Sequence, residues 1–181
     1  MTKPATLLRR HAWTLAALAL VALKLWLVSA QSIFALGFAS HDDALFINRA
    51  HDLLAGTWLG PYHQLTLAHA PMYPLFIAAM WLLHVPLFPA QQLLYVAGCA
   101  ALVIALRPLL ARPWVAFALF AVLLFNPVTF DTAVHGRVLR QNILPGLTLL
   151  VLAGFTGFLA RRDQAPGRTV RWLALAAAAL P

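Results

Sequence analysis

The chain has 181 residues, of which 62% are hydrophobic and 10% are charged, and its formal net charge is +8. Soluble globular domains are nearer half apolar and a quarter charged, so this composition excludes an ordinary soluble domain and indicates an integral membrane protein. The basic residues flank apolar runs and form no stripe, which favours topology signals and contacts with membrane lipids over nucleic-acid binding. The single cysteine, Cys99, lies inside an apolar run, which excludes a disulfide framework and a cysteine-based metal site.

Four apolar segments are predicted to be transmembrane helices, each of which needs about 20 residues to cross the bilayer. In chain order they cover residues 12–36, 90–110, 113–130 and 143–160. A fifth run begins at Arg171 and stops at Pro181, which we take to indicate a fragment of a longer protein or a truncated reading frame. We therefore expect one all-α membrane domain over residues 1–181, a polytopic bundle of about four complete transmembrane helices plus the start of a fifth.

The first apolar run has a second interpretation, a cleaved signal peptide, because basic residues precede it and residues 28–30 resemble a cleavage site. We favour an uncleaved helix, since Lys24 interrupts the run and apolar sequence continues beyond it. A charge within a span is costly and usually faces the bundle interior or reaches the interface. An acid in a missing part of the protein is one candidate partner for Lys24.

The segment 72–88 is apolar but short and contains two prolines, so the distribution of charge must decide whether it spans. If it lies along the outer interface, most basic residues fall on the inner side, as the positive-inside tendency requires. The inner set is then Lys3, Arg9, Arg10, Arg107, Arg112, Arg161, Arg162, Arg168 and Arg171, and the outer set is Arg49, Arg137 and Arg140. The spanning alternative reverses this excess, so we predict an interfacial helix and a cytoplasmic N-terminus.

This topology predicts two segments on the outer face. The first external loop covers residues 37–89 and carries an amphipathic helix, whose apolar stripe includes Leu45, Phe46 and Ala50, followed by the juxtamembrane helix. The second external loop covers residues 131–141. The two loops can face each other across the same membrane surface.

Within the first loop, Asp42 and Asp43 are adjacent in a chain that has only five acidic residues. Ser40 with Asp43 three residues later also forms a capping box, and acids in a first helical turn complement the helix dipole. Both interpretations, a helix cap and a functional carboxylate pair, stay open from the local pattern. The pair is the candidate site for a divalent cation, Mg²⁺ or Mn²⁺, while the nearby histidines lack any characteristic zinc spacing.

Four other residues are candidate binding groups. Tyr62 and Tyr73 follow turn signals and could stack on a sugar ring or a lipid headgroup. Arg137 and Arg140 are three residues apart at the start of a helix, where a basic pair could hold a phosphate. The alternative for the arginines is contact with lipid headgroups.

The motif order resembles the N-terminal third of the GT-C glycosyltransferases, most closely the branch of protein mannosyltransferases and lipopolysaccharide sugar transferases. The resemblance is carried by DDALF from Asp42, GTWLGPY from Gly56 and APMYPLF from Ala70. In that family a long external loop follows the first helix, begins with paired acids and ends on a juxtamembrane helix. Such enzymes transfer a sugar from a polyprenyl-phosphate donor to a lipid, glycan or protein acceptor on the outer face, with inversion.

By this resemblance Asp42 matches the acid thought to act as base or to bind metal, and Asp43 matches its neighbour. His69 stands where many relatives carry a lysine that meets the donor phosphate. Gln141 stands where relatives often carry an acid. The expected location is the inner membrane of a bacterium. The alternatives are a non-catalytic multi-pass protein, such as a transporter half or an assembly factor, and an inactive truncated fragment.

Overall fold

The computed structural model describes residues 4–35, 43–58, 60–61, 70–131, 136–164 and 166–180. The long regular elements in these ranges are all α-helices, as the sequence predicts. They are α1 Pro4–Val28, α2 Asp43–Leu54, α3 Met72–Leu82, α4 Leu87–Leu106, α5 Pro113–Leu124, α6 Leu144–Leu159 and α7 Pro166–Ala178. Short 3-10 turns occur at Arg107–Leu109, Pro127–Phe130 and Arg140–Asn142.

Helices α1, α4 and α5 pack around one apolar cluster. The buried residues of this cluster are Tyr95, Cys99, Phe120 and Leu124, against which Ala17, Leu20 and Val21 of α1 pack. The Tyr95 hydroxyl donates a 2.6 Å hydrogen bond to the Leu123 carbonyl, so the polar tip of this buried ring is satisfied by the last turn of α5.

Glycines allow α6 to approach both of its neighbours closely. A Cβ atom added to Gly98 of α4 would lie 2.7 Å from the carbonyl oxygen of Gly146 in α6. On the other side of α6, a Cβ on Gly154 would lie 2.6 Å from the carbonyl oxygen of Trp172 in α7. Small residues at such crossings let two helix backbones come into direct contact, as is common in membrane helix bundles.

Three basic segments lie at one end of the bundle, which is here called the basic end. They are the first half of α1, residues 107–112 and residues 161–171. Arg161 donates to the carbonyl groups of Ile104 at 2.8 Å and Ala105 at 3.0 Å, which satisfies acceptors in the last turn of α4. Its guanidinium group also lies 4.8 Å from the ring of Trp172. Arg161 therefore joins the C-terminus of α4 to α7.

The opposite end, here called the loop end, consists of α2, α3 and residues 136–143. Its cluster of buried apolar residues consists of Phe46, Tyr73, Val138, Ile143, Leu147 and Ala179. The predicted amphipathic helix is confirmed, because α2 buries Leu45, Phe46 and Ala50, and Gly56 follows it with a φ of 80°. That left-handed conformation suits glycine, which ends the helix as the pattern indicates.

The predicted count of about four complete transmembrane helices is not supported. Among the described residues, two helical stretches are long and apolar enough to cross a membrane, His11–Val28 and Leu87–Leu109. Helix α5 has 12 residues and α6 has 16, so they extend about 18 Å and 24 Å, less than the roughly 30 Å hydrocarbon core. Asn126 and Pro127 turn the chain into a 3-10 helix after α5, and Pro145 lies in the first turn of α6.

The segment 72–88 forms two elements. Helix α3 ends at Leu82, His84 takes a positive φ of 54°, and α4 begins at Leu87. The 11 residues of α3 are too few to span a bilayer, and the helix packs on α2 at the loop end.

Candidate functional site

The loop end contains a buried ion pair between the two segments predicted to be external. Asp43, in the first turn of α2, accepts hydrogen bonds from Arg137 on both carboxylate oxygens, at 3.1 Å from Nη2 and 3.3 Å from Nε. The Asp43 side chain is fully buried, whereas that of Arg137 is 28% exposed. A forked contact of this kind combines two charge-assisted hydrogen bonds with fixed orientation. It therefore ties the start of α2 to the segment before α6.

The backbone around Arg137 is itself held from two sides. Phe34, which follows α1, forms an isolated parallel bridge with Arg137, and its amide donates to the Gly136 carbonyl at 2.9 Å. The Asn142 side chain donates to the Arg137 carbonyl at 2.7 Å. Arg137 is consequently positioned by the chain on both of its sides before its side chain reaches Asp43.

Tyr73 of α3 lies beside this ion pair and is only 2% exposed. Its hydroxyl accepts a 2.9 Å hydrogen bond from the Gln91 amide, and its ring meets the Phe46 ring edge-on, 5.1 Å between centroids. Burial raises the pKa of Tyr73, the Gln91 hydrogen bond lowers it, and the negative charge of Asp43 raises it again. The phenol is therefore neutral, and the ring packs in the protein interior, away from any sugar at the surface.

The predicted basic pair is divided between two environments. Arg137 is engaged with Asp43, whereas Arg140 is exposed at the start of its 3-10 turn. Of these two arginines, Arg140 is the one that is available to a phosphate without breaking the ion pair.

Three of the predicted site residues, Asp42, Tyr62 and His69, lie outside the described residues. Within the described ranges no group of three or more histidine, cysteine, aspartate or glutamate side chains could hold a metal ion. Asp43 is the described member of the acid pair, and both of its carboxylate oxygens accept from Arg137. A metal at the acid pair would thus compete with the arginine for Asp43.

Lys24 of α1 is fully buried, and its described contacts are to neutral groups. Its ammonium group donates to the Leu124 carbonyl at 3.0 Å and to the Thr129 hydroxyl at 2.8 Å, and it lies 4.3 Å from the centre of the Phe130 ring. The carbonyl is free because α5 ends there, so the end of that helix serves as an acceptor for the lysine. Among the described residues, neutral acceptors therefore satisfy Lys24.

Buried amide groups at the loop end are features that reasoning from the sequence missed. The side-chain oxygens of Gln31, Gln91, Gln92 and Asn142 are buried and have no hydrogen-bond partner among the described residues. Such acceptors are costly when unpaired and can receive hydrogen bonds from hydroxyl groups. The signal in the sequence is the Gln91-Gln92 pair inside an otherwise apolar run.

No protein-family model, no curated protein and no solved structure matches this chain.

Proposed function

We propose that the chain is the N-terminal part of a membrane-embedded GT-C-type glycosyltransferase that moves a sugar from a polyprenyl-phosphate donor to an acceptor on the outer face. The observation that carries the proposal is the buried Asp43–Arg137 pair, since it joins the two segments expected to form the external site. The motif order around Asp42 supports the same reaction class.

The membrane location is supported by the surface of the helices as well as by their length. Large apolar side chains point outward on three different helices, with Trp26 70%, Val122 72% and Leu159 63% exposed. Exposed apolar surface over several helices is expected where lipid is the solvent. We place the chain in the inner membrane of a bacterium, with its N-terminus in the cytoplasm.

In the proposed reaction Asp42 removes the proton of the acceptor hydroxyl while the acceptor oxygen bonds to the anomeric carbon. The bond from that carbon to the phosphate oxygen breaks, and polyprenyl phosphate leaves with the bonding electrons. Arg140, or a divalent metal at Asp42, would stabilise the departing phosphate. Asp43 acts as a positioning residue, because its pairing with Arg137 fixes the covalent neighbour of Asp42.

The test uses membranes that contain the chain in its natural protein, incubated with a panel of polyprenyl-phosphate-linked hexoses and pentoses. Consumption of one donor and release of polyprenyl phosphate would identify the activity. Asp42→Asn is expected to lower its rate by about 10²–10⁴-fold, the usual contribution of a general base. Asp52→Asn, on α2 of the same loop, is the control and should retain activity.

Full activity of Asp42→Asn, at normal protein levels, would reject the proposed mechanism. A donor panel that yields no turnover would favour a second function, a non-catalytic scaffold of the membrane. That alternative is supported by the same ion pair, since Asp43 and Arg137 neutralise each other and hold the fold together. Under it, Asp42→Asn and Asp52→Asn should behave alike in every assay of assembly.

A further inference from the structure

A groove at the basic end lies between α1, α4 and α5, away from the candidate site. Its volume is about 470 Å³, within the range of roughly 300–1,000 Å³ that is usual for sites of small ligands. Along α1 its lining extends from Trp13 to Val21, a length of about 12 Å. The inner wall is Phe120, which belongs to the apolar cluster between these helices.

The lining is apolar except at Thr14 and Arg107. Trp13 and Phe117 both line the groove, and their ring centroids are 5.4 Å apart. The groove can therefore hold a hydrocarbon chain along its length, while any charged group must lie at the end where Arg107 is found.

The helices that form the groove carry no acidic residue to balance the positive charge of Arg107. Arg107 and Arg112 are both exposed in the connection between α4 and α5. No acidic residue occurs before Asp42 or between Asp52 and Asp131, so α1, α4 and α5 contribute none to the groove. Arg107 is the charged residue of the groove lining, so an anionic group placed there would meet a cation and no acid from α1, α4 or α5.

We propose that this groove binds one anionic phospholipid, with an acyl chain along α1 and the headgroup phosphate on Arg107. The apolar lining accounts for the chain, and the cationic end accounts for the phosphate, which arginine contacts through forked hydrogen bonds. The leaflet concerned is the one that faces the N-terminus, which is the leaflet rich in anionic lipid if the N-terminus is cytoplasmic. The site depends on membrane insertion and is independent of any glycosyl transfer.

The test is native mass spectrometry of the purified chain in neutral detergent, titrated with phosphatidylglycerol or with phosphatidylcholine. The protein should bind phosphatidylglycerol more tightly, and Arg107→Gln should weaken that binding about tenfold while weakening phosphatidylcholine less, because the choline cation offsets the charge of its phosphate. Arg162→Gln is the matched control, because it removes an equal charge at the same end from a residue that is 72% exposed and paired with Asp163.

Filling the groove tests its apolar part. Ala100→Phe on α4 is expected to weaken binding of both lipids. If that variant does not fold, Ala17→Phe on the facing α1 replaces it, with the same expected result. Equal losses for Arg107→Gln and Arg162→Gln would overturn the proposal in favour of general charge attraction. Displacement of phosphatidylglycerol by millimolar inorganic phosphate would overturn it in favour of a phosphate site without an acyl chain.

Discussion

Asp43 is buried completely, and its charge is tolerable there because Arg137 meets both of its oxygens. Removing Arg137 takes away the cation that meets both oxygens of a fully buried carboxylate, which is more damaging than losing a pair at the surface. The Asp43–Arg137 ion pair therefore connects the first and second loops, whatever reaction the site performs.

We expect Arg137→Ala to lower the free energy of unfolding by about 3–5 kcal/mol, the usual effect of breaking a buried ion pair. The measurement is unfolding of the purified chain in mixed micelles, followed by circular dichroism during titration with a denaturing detergent. Arg162→Ala is the control, since its pair with Asp163 is exposed and should contribute within about 1 kcal/mol. Equal stability of the two variants would show that the Asp43–Arg137 ion pair does not stabilise the fold.

Sequence reasoning could single out Asp43 and Arg137 separately but could not join them. They are 94 residues apart, and their approach depends on how α2 and residues 136–143 pack at the loop end. Lys24 illustrates the same limit. The sequence shows that a charged lysine in an apolar run is energetically costly. It does not show the partners of Lys24, which are a helix-end carbonyl and a hydroxyl group 100 and 105 residues away.

The helices differ in how well local pattern foretells them. Helix α2 follows its apolar stripe and ends near Gly56 because local spacing and backbone chemistry agree. Helix α5 is shorter than its apolar run because the Asn126 side chain accepts from the Val128 amide at 3.1 Å and caps a new 3-10 turn. Hydropathy alone predicts a helix that extends to Phe130, whereas the Asn-Pro dipeptide indicates a turn.

The crossing of α4 and α6 depends on Gly98, since an added Cβ would lie 2.7 Å from a backbone oxygen that cannot move aside. We expect Gly98→Ala to destabilise the protein by about 1–3 kcal/mol through overpacking. Thermal aggregation of the purified chain in detergent measures the change.

Gly167→Ala is the matched control, because nothing lies within 4 Å of a Cβ at that helical position. Alanine has the higher helix propensity, so this variant should be neutral or more stable by up to about 1 kcal/mol. A Gly98→Ala protein as stable as the control would mean that the two helices can separate without loss.

For the molecule as a whole, helix packing groups the basic segments at one end and α2, α3 and residues 136–143 at the other. Among the described residues, two helices have the length of a full span. Apolar composition alone predicts α5 and α6 as full spans, because it does not reveal where a helix stops.

Membrane sidedness can be tested with single cysteines introduced at Thr57, Ala111 and Asp163, all of which are exposed. In intact spheroplasts an impermeant maleimide should label Thr57→Cys, whereas Ala111→Cys and Asp163→Cys should react only after lysis. The native Cys99 is fully buried and should stay unlabelled throughout. Labelling of Ala111→Cys before lysis would show that residues 72–88 cross the membrane.

The contacts of Lys24 also bear on the order in which the protein is made. Helix α1 leaves the ribosome before α5, and the Leu124 carbonyl that receives the Lys24 ammonium group follows 100 residues later. At about 5–20 residues per second this interval is roughly 5–20 s, during which a lysine within a span costs about 3 kcal/mol. Until α5 arrives, the apolar side chains of α1 must offset this cost, and the contact of Lys24 with the end of α5 removes it afterwards.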